Sequence, residues 1–132
     1  MEEFNAYAAA ATALGAEGVP LLTAALDKSL DSKYDVFSYG KLNSSIYHLH
    51  QLAARGTYDI KSVPVLIRVI QEQIAIGDTL LTAETLRLIT GLDVGYDARF
   101  ISEYTSEDED RRREMIEKWT AWYSTHRDSG QQ

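Results

Sequence analysis

The sequence predicts an all-α fold in which two helical hairpins stack on each other between an N-terminal and a C-terminal capping helix, in one domain spanning residues 1–132. Three observations predict it. Proline occurs only twice in the 132 residues, and Ala, Leu, Glu and Lys outweigh β-branched runs, a balance that favours helix. Apolar residues recur at helical spacing in segments that close on glycine, the residue best suited to the position after a helix end. Finally, Val19-Pro20-Leu21-Leu22 recurs 44 residues later as Val63-Pro64-Val65-Leu66.

The capping helix is expected over Glu2–Leu14, with Phe4, Tyr7, Ala8, Ala11 and Leu14 on one thin stripe and Gly15 as its stop. The first hairpin, 19–56, opens at Val19-Pro20. Proline is harmless there because the first N–H groups of a helix have no intrahelical partner. Leu22, Leu26 and Leu30 continue the apolar face. Asp31–Tyr39 breaks the pattern and predicts a loop, with Tyr34, Phe37 and Tyr39 turned inward. A stronger helix follows from about Lys41 to Arg55, carrying Leu42, Ile46, Leu49, Leu52 and Ala53, with Gly56 after its end.

The second hairpin is expected over 63–91. A loop at Asp59–Ser62 leads into a helix with Leu66, Ile67, Ile70 and Ile74, which Gly77 ends. Val63–Ile76 is rich in β-branched residues, but it is about twice a typical strand length and its polar residues do not alternate, so helix is expected. Asp78 then N-caps a shorter helix through Leu81, Leu86 and Ile89, stopped by Gly91. The C-terminal cap occupies 97–127: a turn of helix after Asp97, then a long helix opened by a Ser106–Glu109 capping box and burying Met115, Ile116, Trp119, Trp122 and Tyr123.

Several function classes are excluded or disfavoured by composition. With no cysteine, neither a disulfide framework nor a thiolate metal site can form. No basic signal segment and no apolar stretch near the ~20 residues of a membrane span occurs, so the expectation is a soluble, cytoplasmic protein without a membrane partner. The net charge is −7, and the one basic run, Arg111-Arg112-Arg113, directly follows Glu107-Asp108-Glu109-Asp110. Nucleic acid is therefore not expected as a ligand, because a phosphate-backbone binder needs a basic stripe.

The second helices align at a smaller offset than the first, Leu49 and Leu52 with Leu86 and Ile89, so the first inter-helix loop is longer. A period of about 40–47 residues with two helices each is the spacing of HEAT-type repeats. The V-P-x-L helix opening, with a Leu-rich partner helix closing on glycine, resembles HEAT repeats. The segment Ile89-Thr90-Gly91-Leu92-Asp93-Val94-Gly95-Tyr96-Asp97, followed by Trp119-Thr120-Ala121-Trp122-Tyr123, is similar to the C-terminal cap of some bacterial HEAT-like proteins. The resemblance covers residues 19 to 127 and implies a short α-solenoid that binds or scaffolds partners. The arginine that often starts a HEAT second helix has no clear match here.

No constellation for catalysis is legible. His48 and His50 diverge by about 200° on a helix and cannot share one metal ion. His126 suits a helix C-terminus. Asp93–Tyr104 is similar in outline to a calcium loop, but Tyr104 stands where the bidentate glutamate belongs. Nucleophile elbow, zincin, Walker A and Rossmann patterns are all missing, so no enzyme, metal or cofactor is expected. The acidic run and the arginines after it form i, i+4 pairs, Glu107–Arg111, Asp108–Arg112 and Glu109–Arg113, with Glu114–Lys118 beyond, which predicts a self-paired solvated face.

The candidate binding residues are Tyr47, His50 and Gln51, which lie off the apolar stripe of one second helix, and Glu84 and Arg87 on the equivalent flank of the next. In a HEAT-like stack the second helices line the concave surface, where such proteins bind partners. The expected function is thus a protein–protein adaptor or scaffold. A small acidic inhibitor that neutralises a basic partner is the alternative, and a HEAT-like lyase the third possibility.

Overall fold

The computed structural model describes residues 2–32, 36–72, 76–94 and 106–127. They form six α-helices: α1 (Glu2–Ala13), α2 (Val19–Leu30), α3 (Val36–Ala54), α4 (Val63–Gln71), α5 (Ile76–Thr90) and α6 (Ser106–His126). Short 3-10 turns, Gly15–Gly18 and Ile60–Ser62, lead into α2 and α4. No strand occurs among the described residues, and Val63 opens a helix despite its β-branched neighbours.

Both Val-Pro pairs begin helices as expected, with proline in the first turn. The glycine stops at positions 15, 56 and 91 all have positive φ. At Gly56, φ is +81°, and this lets its N–H reach the Ala53 carbonyl at 2.9 Å while the Thr57 N–H reaches the Leu52 carbonyl at 2.8 Å. Two last-turn carbonyls are thereby satisfied. Gly18 is required for a different reason: a Cβ there would land on the Ala11 carbonyl, so α1 and α2 can meet this closely only at glycine.

The helices make two layers. In one, α3 packs on both α1 and α5; in the other, α4 packs on both α2 and α6. Across the layers α2 meets α3 and α4 meets α5, which makes two hairpins, one on the other. Helices α2 and α4 run parallel: Thr23 Oγ1 is 2.7 Å from Ser62 Oγ at one level, and Asp27 meets Arg68 at 3.2 Å further along both chains.

The repeat-related positions are the core. Val19 and Val63, Leu22 and Leu66, and Leu26 and Ile70 are all buried, as are Leu49, Leu52, Leu86 and Ile89. Ile74, the partner of buried Leu30, lies outside the described residues. Hydroxyls enter this core where they bond a carbonyl one turn back, as Ser45 does to Lys41 at 2.7 Å and Thr85 to Leu81 at 2.8 Å.

Several expected boundaries are corrected. Helix α3 starts at Val36, five residues before Lys41, so the first inter-helix loop is shorter than the broken pattern implied. Tyr39 is half-buried inside that helix; Tyr34 and the Phe37 side chain lie outside the described residues. Gly77 does not end α4, which stops at Gln71; Gly77 and Asp78 lie in the first turn of α5, so Asp78 is not its N-cap. A glycine close to a helix start costs little, because the backbone there has few intrahelical bonds to lose. Asp59–Ser62 is a capped turn rather than open loop, with the Asp59 carboxylate accepting from the Lys61 N–H at 2.9 Å. On α1 only Ala8 and Ala11 are buried; Phe4 is half-buried, while Tyr7 and Leu14 are 44% and 53% exposed. The expected helical turn after Asp97 lies outside the described residues, as do the side chains of Ser106, Glu107 and Asp108.

Helix α6 closes the stack through Met115 and Trp119, both buried, while Trp122 and Tyr123 pack at the margin of the core. Among the described residues, the Trp119 indole N–H has no partner. Trp119→Ala is expected to cost about 3–5 kcal/mol, a large share of the ~5–15 kcal/mol that holds a domain folded. Trp119→Phe should cost less, because the N–H it deletes bonds nothing, and denaturant midpoints of both variants check the ordering. Gly18→Ala is expected to cost about 1–3 kcal/mol by overpacking; an unchanged melting temperature would contradict the α1–α2 contact.

Candidate functional site

The outward side of the α1–α3–α5 layer is where the five sequence-predicted binding residues fall. On α3, Tyr47 is 51% exposed, while His50 and Gln51 are half-buried one turn further on. The amide of Gln51 donates to the Tyr47 hydroxyl at 2.8 Å, an i, i+4 bond that fixes the phenol along the helix surface. Beside Tyr47, the His48 ring stands edge-on at 5.3 Å, and its Nδ1 donates to the Ser44 carbonyl at 2.8 Å. The pair His48 and His50 stays divided between these surroundings. Among the described residues no group of His and carboxylates is placed to hold a metal ion.

On α5, Glu84 and Arg87 form a two-point ion pair, with Arg87 Nε donating at 2.9 Å to one carboxylate oxygen and a second guanidinium nitrogen to the other. The Arg87 hydrogen bonds, against a modest cost of burial, hold the Glu84 carboxyl below its usual range, and the Arg87 and His50 charges add to this. The Glu84 bonds in turn raise the Arg87 guanidinium further, with Asp93 contributing from the end of the helix. Helices α3 and α5 pack on each other, so the Tyr47, His50 and Gln51 cluster and the Glu84–Arg87 pair lie on neighbouring helices. A notch of about 60 Å³ is bordered by Arg87, Leu92, Asp93 and Trp119.

A second polar cluster, on the α2–α4 layer, was not among the predicted sites. Arg68 of α4 reaches Asp27 of α2 at 3.2 Å, Asp31 just past the end of α2 at 2.8 Å, and Glu72 just past the end of its own helix at 2.6 Å. The hydrogen bond to Asp31 leads in raising the Arg68 guanidinium above its ordinary value; partial burial opposes it, and Glu72 and Asp27 add to it. The signal was present in the sequence: two carboxylates at i, i+4 on one first helix and an arginine on its repeat-equivalent. Alignment of the two helices by their apolar positions alone left it unread.

At the acidic start of α6, the side chains of Glu107 and Asp108, expected to pair with Arg111 and Arg112, lie outside the described residues. Arg113 meets Asp110 at 3.6 Å rather than the expected Glu109. Arg112 donates to the carbonyls of Ile70 and Gln71 at 3.2 and 3.4 Å, which caps the C-terminal end of α4. At the far end of α6, His126 Nδ1 donates to the Trp122 carbonyl at 2.8 Å, and the two rings stack at 4.1 Å.

No helix among the described residues is long and apolar enough to cross a membrane. No family model matches the chain, and neither a curated protein nor a solved structure matches it.

The Glu84–Arg87–His50 arrangement has a pH signature. A carboxyl lowered in the folded state contributes stability that is complete above about pH 4.3 and is lost as pH falls through the folded value. The pair is substantially exposed, so its weight in stability is small. The titration itself is the sharper readout. By carbon NMR of the side-chain carboxyl, Arg87→Met is expected to raise the Glu84 midpoint, and His50→Asn to raise it by less. An unmoved midpoint in Arg87→Met would contradict the pair.

Proposed function

We propose that this chain is a HEAT-like repeat module, a short α-solenoid that holds a protein partner on the outward face of α3 and α5 as an adaptor or scaffold. One observation carries the reading: the two second helices α3 and α5 pack on each other and each carries a group of polar or aromatic residues that is not buried, Tyr47, His50 and Gln51 on one and Glu84 and Arg87 on the other. Repeat stacks work in this way, each unit burying its sides against neighbours and leaving a continuous row of residues free. The parallel α2–α4 pairing and the buried repeat-equivalent positions support the same reading.

The composition of these groups suits protein recognition. Tyr47 offers a large amphipathic surface with few rotors to freeze, and its hydroxyl is already oriented by Gln51. Arg87 presents a planar fork whose direction is set by Glu84. A partner meeting both would find donors in place before contact, which lowers the ordering cost of association. The charge balance of these residues is close to even, so the bond should depend on shape and hydrogen bonds more than on long-range attraction.

An acidic inhibitor reading has its own support. Glu109, Asp110 and Glu114 are exposed at the start of α6. It takes second place because those residues lie on one helix and define no shaped surface.

The test begins with capture of partners from the native host. Tyr47→Ala and Arg87→Glu are each expected to keep the wild-type melting temperature and to weaken binding at least tenfold, about 1.4 kcal/mol. Normal binding by both, with loss of binding on charge reversal at Glu109 and Asp110, would move the site to α6 and favour the inhibitor reading.

A further inference from the structure

The two ends of the stack are finished differently. A repeat stack normally turns a polar outer face to water at each end. Helix α6 does so, with Asp110, Arg113, Glu114, Glu117 and Lys118 all exposed. Helix α1, at the other end, packs on α3 and α2 and buries Ala8 and Ala11, but its outer side is not polar. From Phe4 to Ala16 the chain has no charged residue. That outer side consists of Tyr7 and Leu14, 44% and 53% exposed, with Ala6, Ala9, Ala10 and Ala13 exposed around them.

Tyr7, Ala10 and Leu14 stand at i, i+3 and i+7, so they share one face of the helix. Leu14 keeps that register although it follows Ala13, the last residue of α1: its backbone is still helical, and its N–H donates to the Ala10 carbonyl at 3.3 Å. The Tyr7 ring rests 5.8 Å from that of Phe4, so it is supported from the turn before it. At a rise of ~1.5 Å per residue, Ala10 sits about 4.5 Å along the axis from Tyr7 and about 6 Å from Leu14. A small residue thus lies near the midpoint of two large ones. Such a face is complementary to itself: turned antiparallel about Ala10, the Tyr7 of each copy comes opposite the Leu14 of the other, and alanine lets the backbones approach.

We infer that this face of α1 pairs with the same face of a second copy of the chain, antiparallel about a two-fold axis near Ala10. The charged outer side of α6 gives an apolar helix nothing to bury against, so head-to-tail stacking of copies is disfavoured and the closed, isologous pair is left. Two chains of net charge −7 repel each other, and α1 is where they can touch with acids only at the margin, at Glu3 and, past the Gly15 turn, at Glu17. A helix of 12 residues is about 18 Å long, and one face of it buries roughly a few hundred Å², short of the ~800 Å² per partner of a standard stable interface. The pair is therefore weak, with an expected Kd on the order of 0.1 mM. Because α1 belongs to the α3–α5 layer, pairing would join two such layers in one row, whether or not α3 and α5 hold a partner.

Sedimentation equilibrium of the full chain, from about 20 µM to about 1 mM, spans that Kd. The mass is expected to rise from that of one chain toward that of two. Association should strengthen between about 0.05 M and about 0.5 M salt, because screening relieves the repulsion between acidic copies. Ala10→Glu and Leu14→Glu alter exposed positions, and each should weaken pairing at least tenfold with an unchanged melting temperature at micromolar concentration. Ala10→Lys should do the same alone. An equimolar mixture of Ala10→Glu and Ala10→Lys should pair again, since a two-fold axis there sets the opposite charges face to face. The inference is overturned by a single-chain mass at 1 mM, by a pair that both glutamate variants leave intact, or by a mixture that associates no better than its components. A pair that weakens with salt also overturns it, and places the contact on the charged side of α6. Tyr47→Ala should leave the mass unchanged, so pairing through α1 and recognition at α3 and α5 are judged separately.

Discussion

Helix α4 is nine residues long, shorter than the roughly 12–15 residues at which an isolated helix becomes even marginal in water. It exists because other helices bury it: Val63, Leu66, Ile67, Val69 and Ile70 are all inside, and α2, α5 and α6 pack around it. This mutual dependence sets the architecture. Neither hairpin can cover its own apolar residues, so each layer must continue into the next, and the ends need α1 and α6 to complete them. Arg112 extends the same logic to the backbone, supplying donors to carbonyls at the end of α4 that the short helix cannot satisfy itself.

Stacking of this kind has a consequence for surfaces. Each helix buries one side against its layer neighbours and another across the layers, so what remains is a row of residues on each outer face. On the α3–α5 side that row is aromatic and polar, with its side chains already bonded to one another. On the α2–α4 side the row includes a seam between parallel helices. The Arg68 cluster and the Thr23–Ser62 pair tie this seam together, and just beside them the small side chains Pro20 and Ala24 leave it open as a groove. The two faces therefore differ in kind: one is a preformed ridge, the other a slot.

Ion pairing in the chain is likewise governed by helix neighbours more than by sequence spacing. In the acid–arginine run of α6, Arg112 donates to the end of α4, and Arg113 meets Asp110 where its spacing predicted Glu109. Conversely, Arg68 reaches carboxylates 37 and 41 residues away because parallel packing places α2 alongside it. A backbone carbonyl at a helix end is a fixed acceptor, whereas a solvated carboxylate on the same helix offers little net gain.

Much was legible from sequence alone: the all-α class, the Val-Pro helix starts, the stops at Gly15, Gly56 and Gly91, and the buried repeat positions. Each rests on a local constraint, either backbone sterics at proline and positive-φ glycine or the 3.6-residue period of a one-sided core. The exposure of Tyr47 followed from the same periodicity. Gly77 misled because glycine marks helix ends only by statistical preference, and the first turn of α5 tolerates it. Tertiary structure alone decided that α3 packs beside α5, that Arg68 bridges to α2, that Tyr7 and Leu14 remain outside, and that a groove opens beside Ala24. These depend on which helices become neighbours and at what stagger, quantities fixed by the fit of whole faces and carried by no local stretch of the chain.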